Sequence, residues 1–418
     1  MKRFFAKNKI WFVAVGGGLA LAGATFAGEN ARLFFVQYLA FFALVPLLIL
    51  MLKNRADKRF ARKFYWLGWA FFAAWLAPTT YWYFNFMPLW LAPLASFGFA
   101  FLMANLFCIF KIKKLPNFAV LLIFAAVWAV WTFARLHLPI VADWWLPHLG
   151  YAVWRLPAAT FFAKLGGAAN VEFLVLLVNI LTAILWLKFC RKTLYFTGGF
   201  LLIFVGANFI INNFPAQNFA NVAAVQTTGE FTQLSQLTHA AKQEATSESL
   251  TVVWPENHLS ANGLAQARAL AQELKINLVV NAADAQNRNA EILLDANGRE
   301  ILTNYKFHIA PGENHAAKWS ANSVKLGGEK VAVFICYDLH YPDIVGRIGG
   351  AKTVFASVND SDFGRLEQTF HLADSAFDAV QSGANIAVSS SNGKTAFVDK
   401  FGRVAAELPV NTEGVLLP

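Results

Sequence analysis

Hydrophobic positions are arranged in two different ways along the 418 residues. Up to about residue 213 they come in long unbroken runs, at about 10–28, 33–52, 64–84, 88–110, 117–134, 171–187 and 195–212. Each run is near the ~20 apolar residues that a helix needs to cross a bilayer core. The pattern therefore predicts seven membrane spans over residues 1–213. Beyond 214 the apolar runs shorten to strand length and alternate with amphipathic stretches. Strands are expected at "NVAAVQT", "LTVVWPEN", "INLVVNAAD", "KVAVFICYD" and "AKTVFASVND", with helices over about 231–246, 262–274, 343–350 and 365–382. The stretch "AEILLDANGREILTNYKFHIAP" reads as a hairpin turning at Asn297-Gly298. Further strands follow in "ANIAVSSSNGKTAFVDKFGRVAAEL". Strands alternating with helices, with hairpins inserted, describe a layered α/β domain over 214–418.

Composition supports the division. The chain is 57% hydrophobic and 14% charged, with mean hydropathy +0.45, which excludes an ordinary soluble protein. The net charge of +10 is unevenly spread: residues 1–213 carry 20 Lys and Arg against 4 Asp and Glu (+16), and residues 214–418 carry 15 against 21 (−6). The excess basic charge sits in loops between spans, so it does not point to a nucleic-acid partner. Lys2, Arg3, Lys7 and Lys9 precede the first run, and Lys53, Arg55, Lys58, Arg59, Arg62 and Lys63 follow the second. Lys111, Lys113 and Lys114 follow the fourth, and Lys188, Arg191 and Lys192 the sixth. The positive-inside rule assigns these sixteen to the cytoplasm, and an odd number of spans then puts residues 214–418 on the extracytoplasmic side. No cleavage site ends the first run, so it is expected to stay as a span rather than leave as a signal peptide. The glycines of "VGGGLALAG" inside it suit close helix packing.

Cysteine usage narrows the chemistry. Cys108 and Cys190 lie near span ends, and Cys336 is the only cysteine after residue 213, so no disulfide can form within that domain. Cys336 ends the apolar run "VAVFIC", Glu256 ends "VVWPE", and Lys306 lies at the end of "TNYK". Strand ends are where reactive groups gather in sheets of this kind. Singly, each has an ordinary explanation: a turn glutamate, a solvated lysine, a small buried thiol. Together they supply a nucleophile, a base to take its proton and a fixed cation for a developing oxyanion, which is a complete acyl-transfer site. His258, His308, His315, His340 and His371 show no zinc-type spacing, and neither metal nor cofactor is expected.

The order "WPE", "YKFHIAPGE", "CYDLHYPD" resembles the Glu–Lys–Cys segments of the nitrilase superfamily. With the apolar first half, the whole chain resembles the apolipoprotein N-acyltransferase family, as do "DWWLPHLGYAVWRLPAATFFAKLGG", "ASVNDSDFG" and "SSSNGKTAFVDKFGRV". The resemblance implies a multi-span α-helical membrane domain (1–213) joined to an α/β nitrilase-like domain, an α-β-β-α sandwich (214–418). It implies Cys336 as nucleophile, Glu256 as general base and Lys306 as oxyanion stabiliser, with Glu313, Tyr337, Asp338 and Trp254 close by. It further implies a bacterial inner-membrane enzyme whose catalytic domain is periplasmic. The acyl donor would be a membrane phospholipid and the acceptor a lipoprotein amino terminus. Tyr81, Trp82, Tyr83 and Trp90 are candidates for an acyl entrance or, more simply, an interfacial aromatic belt.

Several positions depart from the family pattern. Asp338 replaces a glutamate, Asp362 an aromatic residue, and Asp378 and Gln381 an arginine and a glutamate. The Lys306–Glu313 spacing is one residue shorter, and the sequence ends at "GVLLP" where a last span is expected. These departures keep an alternative open: a nitrilase-type amidase, or an envelope protein of the conjugal-transfer type, acting on a non-lipid substrate.

Overall fold

The computed structural model describes residues 2–418 except 139–140, 188–190, 216–218, 220, 248, 257–258, 321 and 362. His258 and Asp362 thus lie outside the described residues. The chain forms two compact units, one of Met1–Leu138 and Leu146–Phe214, the other of Pro139–Trp145 and Pro215–Pro418. The short segment Pro139–Trp145, which hydropathy assigns to the first half, belongs to the second unit.

Helices occupy all seven predicted places in the first unit: Lys2–Ala27, Ala31–Phe41 with Val45–Asn54, Phe64–Thr79, Leu91–Met103 with Ala104–Lys111, Asn117–His137, Ala168–Leu187 and Arg191–Asn213. Among the described residues, five stretches are long and apolar enough to cross a membrane: Asn8–Ala27, Ala31–Asn54, Leu91–Lys111, Asn117–His137 and Ala168–Leu187. Phe64–Thr79 has 16 residues, with Pro78 in its last turn, and gives way to a 3-10 turn at Tyr81–Asn85. Glycine sets the closest helix contacts. A Cβ on Gly17 would lie 2.5 Å from the Ala43 carbonyl oxygen, and one on Gly18 would lie 2.2 Å from that of Phe71. Buried polar groups act as ties between helices, as apolar surroundings favour. Asn179 donates to the Ala40 carbonyl at 2.9 Å and accepts from the Leu44 amide at 3.0 Å. Arg135 pairs with Glu172 at 3.4 Å, and Glu172 also accepts from the Leu149 amide at 2.6 Å. The aromatic group divides: Trp82 and Tyr83 are buried, whereas Tyr81 and Trp90 are exposed.

The second unit contains twelve described strands in two six-stranded sheets. The strands are β1 Val222–Gln226, β2 Thr251–Val253, β3 Asn277–Ala283, β4 Asn289–Leu294, β5 Glu300–Tyr305, β6 Val324–Leu326, β7 Glu329–Ile335, β8 Thr353–Val358, β9 Asn385–Ser390, β10 Ala396–Val398, β11 Val404–Glu407 and β12 Gly414–Leu416. The first sheet has the order β12-β1-β2-β3-β4-β5 and the second β11-β10-β9-β8-β7-β6. In each sheet three central strands are parallel, β1, β2 and β3 in one and β7, β8 and β9 in the other. Two strands, β6 and β12, are absent from the sequence-based expectation. Each is three residues long and owes its existence to a partner, β7 and β1 respectively.

Period-two alternation builds the layers. In and just after β2, Val253 faces the opposite sheet, within a core that includes Val279, Val333, Phe355 and Phe397. Its neighbours Val252 and Trp254 face away, against helices Phe231–Glu244 and Ala261–Leu274. Helix Arg365–Ser382 lies against β9 and β10 on the outer face of the second sheet. The result is the α-β-β-α sandwich. Asn304 ties the sheets edgewise, donating from β5 to the Val333 carbonyl of β7 at 2.8 Å. The hairpin turns at the expected Asn297-Gly298, where Gly298 takes φ +70° and donates to Asp295 at 2.8 Å.

Candidate active site

Strand β7 ends at Ile335, and Cys336 begins the 3-10 turn Cys336–His340 that follows it. The chain must swing off the sheet within one residue, and Cys336 has φ +40°, which a residue with a Cβ rarely adopts. The turn is held from the next strand and the helix beyond it. The Asn359 amide donates to the sulfur. The Cys336 carbonyl meets Nε2 of His371 at 2.9 Å, and Nδ1 of His371 meets Asp360 at 3.0 Å. Both partners accept, so both ring nitrogens donate. Burial alone would lower the His371 pKa, but the Asp360 charge and hydrogen bond raise it.

Glu256 and Lys306 meet as a buried pair at 3.2 Å, 2% and 0% exposed. Lys306 also contacts Glu313 at 2.5 Å. Burial favours a neutral amine, but Glu256, Cys336 and Glu313 outweigh it and hold the ammonium protonated, with its pKa above the ordinary range. The same field acts on the thiol. Burial first, then the Glu256 charge, push the Cys336 pKa well up, and Lys306 opposes them. The resting thiol therefore keeps its proton, beside a carboxylate able to receive it. Glu256 is further fixed by Asn289 on β4, whose Nδ2 donates to it at 2.7 Å.

The remaining sequence candidates fall in different places. Glu313 touches Lys306 and folds its own loop by accepting from the Ala310 amide at 3.3 Å. Asp338 accepts from the Phe307 and His308 amides at 3.2 and 3.0 Å and pairs with buried Arg347 at 2.9 Å. It thereby clamps the chain just past Lys306. Tyr337 donates to the Asp143 carbonyl at 3.1 Å and packs against Trp145 with centroids 5.5 Å apart. The indole of Trp254 points to the helix side of the sheet and donates to Thr238 at 2.8 Å, while its carbonyl meets the Ser357 hydroxyl at 2.7 Å. Asp378 is buried, and one of its oxygens has no hydrogen-bond partner among the described residues; Gln381 is half-buried.

Sequence reasoning missed Asn289, Asn359, Asp360 and Arg347, and it set His371 aside for want of metal spacing. The available signal was polar residues inside short apolar strands, as in "NAEILL". Among the described residues, Cys336, Asp360 and His371 have donor atoms within 4.8 Å of one another. Both ring nitrogens of His371 are already engaged, so an ion there would displace hydrogen bonds and cover the thiol. A cavity of about 510 Å³ opens beside Glu256, bounded by Thr227, Phe231, Ser260, Asn262, Asn359 and Ser391.

The helical half and the thiol half each match a described family. Residues 17–181 match the apolipoprotein N-acyltransferase N-terminal domain, and residues 221–418 match carbon-nitrogen hydrolase. Taken together, the two matches make the chain similar to the apolipoprotein N-acyltransferase family. Its distal half matches carbon-nitrogen hydrolase, and these matches with the apolar helices make the protein a membrane protein and an enzyme. Curated apolipoprotein N-acyltransferases resemble it as follows. That of Allorhizobium ampelinum is 25% identical over 205 residues, covering 39% of this chain and 38% of the relative. That of Brucella melitensis is 24% identical over 226 residues, covering 44% and 42%. That of Pseudomonas paraeruginosa is 30% identical over 95 residues, covering 22% and 19%. The chain thus spans less than half the length of these relatives. An amidase from Nesterenkonia sp. is 17% identical, with a TM-score of 0.41, covering 48% of this chain and 90% of its own.

Proposed function

We propose that this protein transfers a fatty acyl group from a membrane phospholipid to the amino terminus of a lipoprotein, through a thioester on Cys336. One observation carries the reading. A single chain joins a helical half of the N-acyltransferase type to a domain in which a thiol, a buried carboxylate and a buried ammonium converge.

Each group has a defined task in the cycle. Glu256 takes the Cys336 proton as the sulfur attacks the ester carbonyl carbon. Lys306 faces the oxyanion that forms, where a preorganised cation is most effective. The C–O bond breaks, the leaving alkoxide takes the proton from Glu256, and a lysophospholipid departs. The acceptor amine then attacks the thioester and gives its proton to Glu256. The C–S bond breaks, and the proton returns to sulfur. The membrane half lets the acyl chain stay in lipid while its ester reaches the thiol. Seven spans with a periplasmic catalytic domain fit this task, since lipoprotein amino termini are exposed there.

The deciding experiment is the intact mass of the protein purified from its own membranes, with Cys336→Ala as control. A hydroxylamine-sensitive fatty-acyl adduct, missing in the control, is the expected result. A thiol that reacts with small electrophiles yet carries no lipid-derived adduct would replace this reading with an amidase acting on a non-lipid substrate.

A further inference from the structure

Behind Glu256 lies a chain of buried side chains that the catalytic cycle above does not use. Asn289 donates to Glu256 at 2.7 Å and accepts from Asn281 Nδ2 at 2.5 Å. Asn281 Nδ2 also faces Glu291 Oε2 at 3.4 Å. The other oxygen of Glu291 is hydrogen-bonded to the Ser357 hydroxyl, which reaches across from the second sheet. Ser357 Oγ lies 2.7 Å from the Trp254 carbonyl, two residues before Glu256. Asn281, Asn289, Glu291 and Ser357 are all inaccessible to solvent.

The path closes on itself: side chain of Glu256, Asn289, Asn281, Glu291, Ser357, backbone of Trp254, and back to Glu256. Its hydrogens can be counted. The Trp254 carbonyl can only accept, so the single Ser357 hydrogen points to it. The contact between Ser357 and Glu291 then needs a hydrogen from Glu291. Burial and the negative charge of Glu256 raise the Glu291 pKa well above the usual carboxylate range, and the hydrogen bonds to Ser357 and Asn281 and the Lys306 charge oppose them without reversing the shift.

We propose that Glu291 is a neutral carboxylic acid that closes this ring, and is thereby a positioning residue for Glu256. The ring fixes the base from two directions, through its carboxylate and through its own strand end, and spans both sheets. A neutral acid does this without placing a second negative charge behind the base.

The inference rests on Glu256 being the base that takes the Cys336 proton. It is independent of whether the substrate is a lipid. The test therefore uses a small acyl donor, p-nitrophenyl butyrate, and follows acylation of Cys336 in the full-length protein against pH. Glutamine can donate to Ser357 and accept from Asn281 as the neutral acid does. Glu291→Gln is expected to acylate within about threefold of the parent, with an unchanged pH profile. Glu291→Leu, checked for folding by its melting temperature, is expected to slow acylation by up to about 100-fold, as misplacement of a reacting group does. Its acid limb should also move to higher pH, because Asn289 no longer supports the ionised base. An infrared difference spectrum of parent against Glu291→Gln should show one protonated carboxyl C=O band lost. Equal impairment of the Gln and Leu variants would overturn the neutral-acid assignment. An active Leu variant with the parental pH profile would overturn the positioning role. Acylation of a Glu256→Gln variant at the parental rate would instead show that Glu256 is not the base.

Discussion

Lys306 is surrounded by Glu256, Glu313 and the Cys336 thiol, and it has no exposed surface. Its charge is maintained by those neighbours and not by water, so a neutral replacement changes the site more than the loss of one surface cation would. Replacing one oxyanion donor typically lowers a rate by ~10²–10³. Lys306→Met is expected to slow Cys336 acylation by that much in a single-turnover mass measurement; an unaffected rate would refute the oxyanion role. The three residues with this chemistry were legible in the sequence because each ends a strand or turn. Asn289 and Glu291 were not. In "NAEILL" they are two polar residues within one short strand, and only the second sheet, laid over β4, shows that they are buried. His371 was hidden for a similar reason: its partners, Asp360 and the Cys336 carbonyl, come from separate loops.

At the scale of elements, the chain from Lys306 to Glu313 has no regular structure, yet it must hold a buried ammonium in place. It is held by Asp338, in the same turn as Cys336, and by Arg347 in the helix Ile344–Ile348. Arg347 donates to Asp338 at 2.9 Å, to the Ser320 carbonyl at 2.9 Å and to the Tyr305 carbonyl at 3.2 Å. The aspartate in place of the family's usual glutamate thus sits where a short side chain reaches two backbone amides. Breaking a buried pair by removing one charge costs about 3–5 kcal/mol. Asp338→Asn should lower the melting temperature of the full-length protein in detergent by several degrees and slow Cys336 acylation. An unshifted melting temperature would show that the clamp does not stabilise the domain. The Cys336 turn follows the same logic: the φ of +40° at Cys336 is maintained by bonds from Asn359 and His371, not by local preference.

For the whole molecule, the second unit buries acids that keep their protons. Burial raises Glu291, Glu367 and Asp378, and in Glu367 neither oxygen has a hydrogen-bond partner among the described residues. A carboxyl whose folded pKa exceeds its unfolded value contributes stability that is fully present below about pH 4 and is lost as pH rises through the folded value. His371, also raised, loses its contribution on the same upward path, beginning near pH 6.5. Asp284 and Asp295, lowered by local hydrogen bonds, work in the opposite sense, but only as pH falls below about 4. The melting temperature should therefore fall between about pH 5 and pH 8, and Glu367→Gln should flatten the slope. A melting temperature that rises over this range would contradict the buried-acid account.

The sequence by itself determined the division into an apolar helical half and an α/β half, the positions of the long helices and most strands, and the choice of Glu256, Lys306 and Cys336 as the candidate site. These depend on hydrophobic period and on residue chemistry, which are local properties. The tertiary structure alone decided that β6 and β12 exist, that Pro139–Trp145 folds with the second unit, and that Trp254 turns its indole away from the site. It also decided that Asn289, Glu291 and Ser357 stand behind Glu256. Each of these depends on a partner distant in the chain, and a buried polar group is recognisable as such only once the element that covers it is in place.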